Sequence, residues 1–258
     1  MNTKEIYREL DMTYDELVDY LLKKYGAAQY DYFTNEACTS KSKRISRTEE
    51  GLFCHHIDED KGFKLSDKSS AIKYPFDYQR ANRLVYCNYL EHLMLHIRIG
   101  IEMYWRKRAK LTLPSEIPYL VNPGFGVLAQ EINTLFDETG STQPWRQRCF
   151  EEIKDNYDEY IYVLRWFLTY IDKNYVQGKI EFSKGQTIKH PKFGYGVITG
   201  FVEKPLDMIS IQFGSTEKRI VRSYLEKNEY KEMLCKLKEN LSRTSNGKLI
   251  KSMVDALQ

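Results

Sequence analysis

The chain carries five histidines, and four of them fall in two tight pairs. His55 and His56 are adjacent, and His92 and His96 are separated by Leu93-Met94-Leu95. On a helix, residues four apart project from one face, the spacing with which a helix offers two imidazoles to one ion. Neighbours at a strand end point to opposite sides, so one ring of the first pair can reach an ion while the other points elsewhere. A chain that uses both pairs at one centre must fold a strand end against a helix. The intervening sequence suits this. Gly51-Leu52-Phe53-Cys54 reads as a short strand leading into His55-His56, and Arg83-Leu84-Val85-Tyr86 reads as a second. A helix follows from Asn88 to Lys110, with Leu90, Leu93, Ile97, Ile101 and Tyr104 as its apolar stripe. Between the strands, residues 57–80 are polar and irregular, broken at Lys61-Gly62 and Tyr74-Pro75. The order is a ββα arrangement.

Leu52-Phe53-Cys54-His55-His56-Ile57-Asp58, Asn82-Arg83-Leu84-Val85-Tyr86-Cys87, and Glu91-His92 through His96 together resemble an HNH endonuclease core. The all-histidine form is similar to the colicin-type ββα-metal nucleases. The resemblance covers residues 44–105, and it implies a metal-dependent enzyme that cuts DNA phosphodiester bonds. Carried over residue by residue, it makes His55, His92 and His96 ligands of one divalent metal ion (Mg, Mn, Ni or Zn). His56 becomes the general base that activates the attacking water. Asn82 stands for the family's central asparagine, which pins the metal-binding loop. Its spacing departs from the family pattern by about one place, so that Arg83 sits where the asparagine is expected and Asn88 is a further candidate. The chemistry suits these residue types. Imidazole, with an unperturbed pKa of ~6.5, takes a proton near neutral pH, and a divalent ion stabilises charge on a phosphate and its leaving oxygen. Two rivals stand beside this reading. One is a closed structural zinc site of Cys54, Cys87, His92 and His96. The other is a catalytically inactive HNH-like module that binds DNA or a protein.

The rest of the chain reads as scaffold and adaptor. Thr13-Tyr14-Asp15-Glu16 is a capping box opening a helix with Leu17, Tyr20, Leu21 and Tyr25 on one face and Gly26 as its stop. The stretch from Lys41 to Arg47 is a local basic patch, either a solvated loop or a nucleic-acid contact through Lys43, Arg44 and Arg47. Pro114, Pro118 and Pro123 punctuate a connection to a second helical region. There Ser141 or Thr142 caps a helix with Pro144 in its first turn. A stripe from Trp145 through Ile153, Tyr157, Ile161, Leu164, Leu168 and Ile171 to Tyr175 runs on as one long helix.

From Gly178 the texture changes to short β-rich runs separated by glycines, over Gln186–His190, Tyr195–Val202, Met208–Phe213 and Lys218–Arg222. Strands so closely spaced favour a small barrel. The run from Lys184 to Ile198, with Ile209–Phe213, is similar to the Tudor-like domain that ends UvrD-type DNA helicases. That resemblance implies an SH3-like barrel docking on proteins, such as RNA polymerase or a replication or repair complex, or on nucleic acid. Phe193 reads as a core aromatic and His190 as structural. The expected fold is therefore α+β: a mostly helical N-terminal part containing the ββα-metal core, then a small SH3/Tudor-like β barrel. The divisions are 1–110 (helical lead-in and HNH-like core), 111–178 (helical scaffold), 179–228 (barrel) and 229–258 (helical tail).

Composition limits the remaining classes. Net charge is +3 from 39 basic and 36 acidic residues, so any basic surface is local. Apolar residues make up 42% of the 258, which excludes a wholly disordered chain. The opening Met1-Asn2-Thr3-Lys4-Glu5 does not read as a signal peptide. The longest apolar run, Tyr160 to Ile171, is broken by Arg165 and falls short of the ~20 residues of a membrane span. Five scattered cysteines, Cys38, Cys54, Cys87, Cys149 and Cys235, read as reduced thiols of a cytoplasmic protein.

Overall fold

The computed structural model describes residues 3–108, 124–138, 140–177, 182–203 and 207–225. The expected tail 229–258, the connection 111–123 and Cys235 lie outside the described residues. The fold is mixed α+β. Helices α1 (Thr3–Asp11) and α2 (Tyr14–Tyr25) come first, followed by strands β1 (Phe53–His56) and β2 (Leu84–Cys87) with the short helix α3 (Lys68–Ala71) between them. Helix α4 (Tyr89–Arg108) follows directly on β2, and then come α5 (Gly124–Asp137), α6 (Pro144–Glu151) and α7 (Tyr157–Gln177). Four strands close the described chain: β3 (Thr187–His190), β4 (Gly194–Val202), β5 (Met208–Phe213) and β6 (Thr216–Val221). No helix among the described residues is long and apolar enough to cross a membrane. The four described cysteines are free thiols.

The start of α2 is as the sequence implies. Thr13 accepts from the Glu16 amide, Glu16 reaches back to the Thr13 amide at 2.9 Å, and Gly26, at φ 79°, ends the helix in a conformation that favours glycine. Its Leu17 and Leu21 enter one large core with Ile6 and Leu10 of α1, Leu90, Leu93 and Ile97 of α4, Ile132 of α5 and Leu164 of α7. Helix α5 lies in the stretch expected as helical scaffold, after the proline-punctuated connection, and it buries Phe125, Leu128, Ala129, Ile132 and Leu135. Three features depart from expectation. Helix α1 precedes the first expected helix; its inward face is little more than Ile6 and Leu10, too short a stripe to read. The long helix expected from Trp145 to Tyr175 is two helices. The chain turns at Ile153–Asn156, where the Ile153 amide bonds the Phe150 carbonyl and the Asn156 carbonyl accepts the Tyr160 amide. Asn and Asp compete with helix through local hydrogen bonds, and Asp155-Asn156 restarts the helix here. Gln143, not Ser141 or Thr142, is the cap residue before Pro144.

The last four strands form an antiparallel meander in the order β3-β4-β5-β6, with a bulge between Ile198 and Gly200. They bury a separate core of Phe182, Ile188, Ile198, Ile209, Ile211 and Leu225. The barrel expected here is not closed among the described residues: β3 and β6 are the two edges of the sheet. Phe193 is not a core residue. It sits in the β3–β4 turn, 37% exposed, stacked on the His190 ring. The Nδ1 atom of buried His190 accepts the Lys192 and Phe193 amides, at 3.1 and 3.3 Å, and so holds that turn.

A partly buried charge cluster clamps α1 and α2 to α4. Lys24 donates to Glu5 at 2.5 Å and to Glu91 at 2.8 Å, and Tyr25 donates to Glu91 at 3.0 Å. Glu9 is fully buried with both carboxylate oxygens lacking a hydrogen bond, and its nearest cation, Lys24, is 3.8 Å away. Burial, then Glu91, pushes its carboxyl from 4.5 up to about 8. A carboxyl whose folded-state pKa is raised costs stability as pH climbs from its unfolded value to its folded one. Wild type should therefore lose stability between pH 4.5 and about 8 on account of Glu9, and Glu9→Gln should abolish that loss. In denaturant titrations the variant should gain on wild type by on the order of a few kcal/mol between pH 5 and pH 9. Parallel pH profiles for the two proteins would exclude the assignment.

Candidate metal centre

Strands β1 and β2 pair antiparallel, His55 opposite Val85 and His56 opposite Leu84. Val85 belongs to the helical core, while Leu84 belongs to a second core with Tyr32, Phe33, Ile45, Leu52 and Tyr86. Strand alternation therefore sends His55 toward the helices and His56 the other way. Helix α4 starts immediately after the hairpin because Asn88 and Glu91 cap each other. The Asn88 amide donates to Glu91 Oε2 at 2.7 Å, and the Glu91 amide donates to Asn88 Oδ1 at 3.0 Å. Asn88 is thus a helix cap. The next residue, His92, and His96 one turn later face His55: the three rings lie 4.9–5.2 Å apart by centroid. Their ligand nitrogens all fall within 4.8 Å of one another, with His92 Nε2 and His96 Nε2 at 3.3 Å.

Two neighbours set the tautomers. The Tyr14 hydroxyl donates its proton to the Ile57 carbonyl at 2.8 Å, so toward His55 Nε2, 3.0 Å away, its oxygen must accept. His55 therefore carries its proton on Nε2 and a lone pair on Nδ1. The Gln79 amide nitrogen donates to the Leu65 carbonyl, which turns Gln79 Oε1 toward His56 Nε2 at 2.9 Å. His56 likewise has its proton on Nε2. The Nδ1 atoms of His55, His56 and His92 are buried without a hydrogen bond. Burial drives the His55 and His92 pKa values far down, helped by the neighbouring imidazoles, and takes His96 down to about 4. Burial also lowers His56 to about 4, partly offset by Gln79. All four rings are neutral at neutral pH, the form that binds metal. A ligand histidine donating its second N–H to a fixed partner is the usual support of such a site, and His55 has one in Tyr14. The three-imidazole donor set, with the orphaned Nδ1 of His55 in it, fits a divalent ion.

Other expected residues are placed differently. Asn82 is exposed, and no hydrogen bond of its side chain occurs among the described residues. Arg83 does hold the loop after β1. It forks onto Asp58, at 2.6 and 2.5 Å, and Lys61 adds 2.7 Å to the same buried carboxylate. Cys54 faces the second core and Cys87 the first, with its sulfur on the Phe53 carbonyl at 4.0 Å. Neither belongs to the trio, which is the one three-ligand group among the described residues, and the Cys₂His₂ alternative is set aside on that geometry. Lys43 and Arg44 are exposed, Arg44 over the Tyr30 ring at 5.2 Å. Arg47 is tied to Glu50 at 2.7 Å and to the Tyr25 carbonyl at 2.6 Å, and it lies over Tyr86. It is a structural link, not a free phosphate contact.

Tyr14, Gln79, Glu59 and Gly124 were not singled out from the sequence. Glu59 carries a visible signal, an acid four residues after His55; the other three act through the fold. A Cβ at Gly124, the first residue of α5, would run into the His96 ring. Burial raises the Glu59 carboxyl to about 8. Comparison with protein families, curated proteins and solved structures finds no match for this chain. The geometry makes Tyr14→Phe a direct test of the centre. It should leave the aromatic packing in place, strand the buried His55 N–H at a cost of ~1–3 kcal/mol, and weaken metal binding ~10–100-fold. Isothermal titration of the metal-free proteins reads this out; equal affinities would remove Tyr14 from the site.

Proposed function

We propose that this chain is a metal-dependent endonuclease of the HNH type that hydrolyses DNA phosphodiester bonds. The supporting observation is the convergence of His55, from a strand hairpin, with His92 and His96, from the helix that follows it, ligand nitrogens within 4.8 Å. A bound divalent ion supplies stabilisation of charge on the phosphate and on the leaving oxygen. His56 takes the proton of the attacking water at Nδ1, and Gln79 holds the tautomer that leaves this atom free. The low proton affinity that burial gives His56 rises when a phosphate anion lies beside it, because an anion favours imidazolium. Entry is from the side of His92 and His96, which are partly exposed, since His55 and His56 are buried. Lys43 and Arg44 are read as backbone contacts to the nucleic acid. The C-terminal sheet is read as an SH3/Tudor-like adaptor for a protein partner or nucleic acid.

A second reading is an HNH-like module that binds without cutting. The burial of His56 beneath Tyr32 and Gln79, together with the exposed Asn82, favours it. Plasmid nicking with Mg²⁺, Mn²⁺, Ni²⁺ or Zn²⁺ separates the two. Under the nuclease reading, His96→Ala should lose metal and cleavage together, whereas His56→Ala should retain metal and cut ~10²–10⁴-fold more slowly. A His56→Ala protein that nicks at the wild-type rate would end its role as base. Wild type that binds metal and DNA but never nicks would establish the binding module.

The separate core of the C-terminal sheet leads to a further expectation. Residues 1–177 alone should fold, bind metal and cut naked DNA at the full-length rate, losing only recruitment to a partner. A large fall in cleavage with metal still bound would make the sheet part of the substrate site.

A further inference from the structure

Glu59 stands in the turn Ile57–Asp60 directly after β1. Its Oε2 atom is 3.3 Å from His96 Nε2 and 3.9 Å from His55 Nδ1. A tetrahedral ion with bonds of ~2.0–2.1 Å to nitrogen and oxygen has neighbouring donors ~3.3–3.4 Å apart. The His92–His96 pair, at 3.3 Å, has that spacing, and so does the His96–Glu59 pair. The second oxygen of the same carboxylate, Oε1, is 3.8 Å from His56 Nδ1. One carboxylate thus spans the gap between the three-histidine site and the unpartnered nitrogen of His56.

We propose that Glu59 is the fourth protein donor of this centre and that its carboxylate holds the place a substrate phosphate must take. The second half rests on the nuclease reading: a scissile phosphate has to touch both the ion and the base, and the carboxylate bridges those two positions. Four protein donors leave a tetrahedral ion without an open position, as in structural sites, whereas hydrolysis needs one. Glu59 is suited to leave. Its neighbour Asp58 is gripped by Arg83 and Lys61, but no hydrogen-bond donor among the described residues holds the Glu59 carboxylate itself. An entering phosphate, an anion with several oxygens, would take the place that the Glu59 carboxylate gives up.

Cobalt(II) as probe ion and inorganic phosphate as probe anion test this on the full chain. Glu59→Gln and Glu59→Ala should bind Co²⁺ about tenfold or more weakly than wild type, with Glu49→Gln, on the exposed surface, unchanged. Wild-type Co²⁺ protein should show the intense absorption of four-coordinate cobalt, and phosphate should alter it. Cobalt-loaded Glu59→Ala should bind phosphate several-fold more tightly than cobalt-loaded wild type. Melting of the metal-free proteins checks that the variants fold; if they do not, the wild-type spectrum and its response to phosphate decide alone. Cobalt affinities within about twofold across the series, or a wild-type spectrum indifferent to phosphate, would overturn the proposal. Wild type that binds no cobalt would overturn the metal centre as well. Wild type whose cobalt needs Glu59 and yields to phosphate, yet which cuts no DNA, would keep Glu59 as a ligand and end only the nuclease reading.

Discussion

Alternation along a strand of four residues organises the rest of this protein. His55 and His56 are neighbours in β1, so they must face opposite sides of the hairpin, and both sides are covered. One side is the helical core and the other is the smaller core around Tyr32, Leu52, Leu84 and Tyr86. Each ring is consequently buried in different company, and each donates its Nε2–H to a different part of the chain, His55 to Tyr14 of α2 and His56 to Gln79 in the insert before β2. Only the Nδ1 lone pairs remain free, and both lie next to the carboxylate of Glu59. A one-residue slip in the β1–β2 register would exchange the two faces, replacing His55 by His56 at the trio. The Asn88–Glu91 cap, set directly on the end of β2, fixes the start of α4 and with it the height at which His92 and His96 meet the strand.

That cap is itself held by buried charge. Glu91 caps α4 through one oxygen and takes Lys24 and Tyr25 on the other. The helices that carry Tyr14 and His92 are thereby tied through the same carboxylate. Breaking a buried pair of this kind is costly because the remaining charge is stranded. Glu9, buried beside the same lysine without a hydrogen bond of its own, is the strained member. Its pKa is raised first by burial and then by the neighbouring Glu91, against the opposing pull of Lys24.

The sequence was most legible where one local rule decides. The capping box at Thr13, the presence of two short strands near His55 and Leu84, and the i,i+4 placement of His92 and His96 all follow from short-range geometry, and the structure has them, with the strands shifted by two residues and one residue toward the C-terminus. Features decided by tertiary contact were hidden. Nothing local distinguishes Tyr14 from the other nineteen tyrosines, since its hydroxyl matters only because His55 and Ile57 arrive beside it. The turn at Ile153–Asn156 interrupts an apolar stripe that remains in phase on both sides, so periodicity alone runs straight through it. The loop-pinning interaction was sought at Asn82, whereas the fold assigns it to Arg83 and Asp58. A long guanidinium reaches the carboxylate from a position where a short amide is left in solvent. Barrel closure was likewise beyond reach, because it depends on whether the first and last strands meet.

The energetics of the centre argue for an occupant. Three buried ring nitrogens without a hydrogen bond are an unusual concentration for one site, and each such atom costs ~1–3 kcal/mol. The tautomers sharpen the point. Tyr14 and Gln79 each spend a hydrogen bond to keep the proton on Nε2, which leaves Nδ1 as an acceptor in a region with no donor among the described residues. At His55 such a lone pair is unfavourable in the protein alone and favourable once a cation takes it, while at His56 it stays free to accept a proton. Neutral imidazoles then bind without first releasing protons, because burial has already removed them. The same burial that makes the ring nitrogens costly is what readies them for metal at neutral pH.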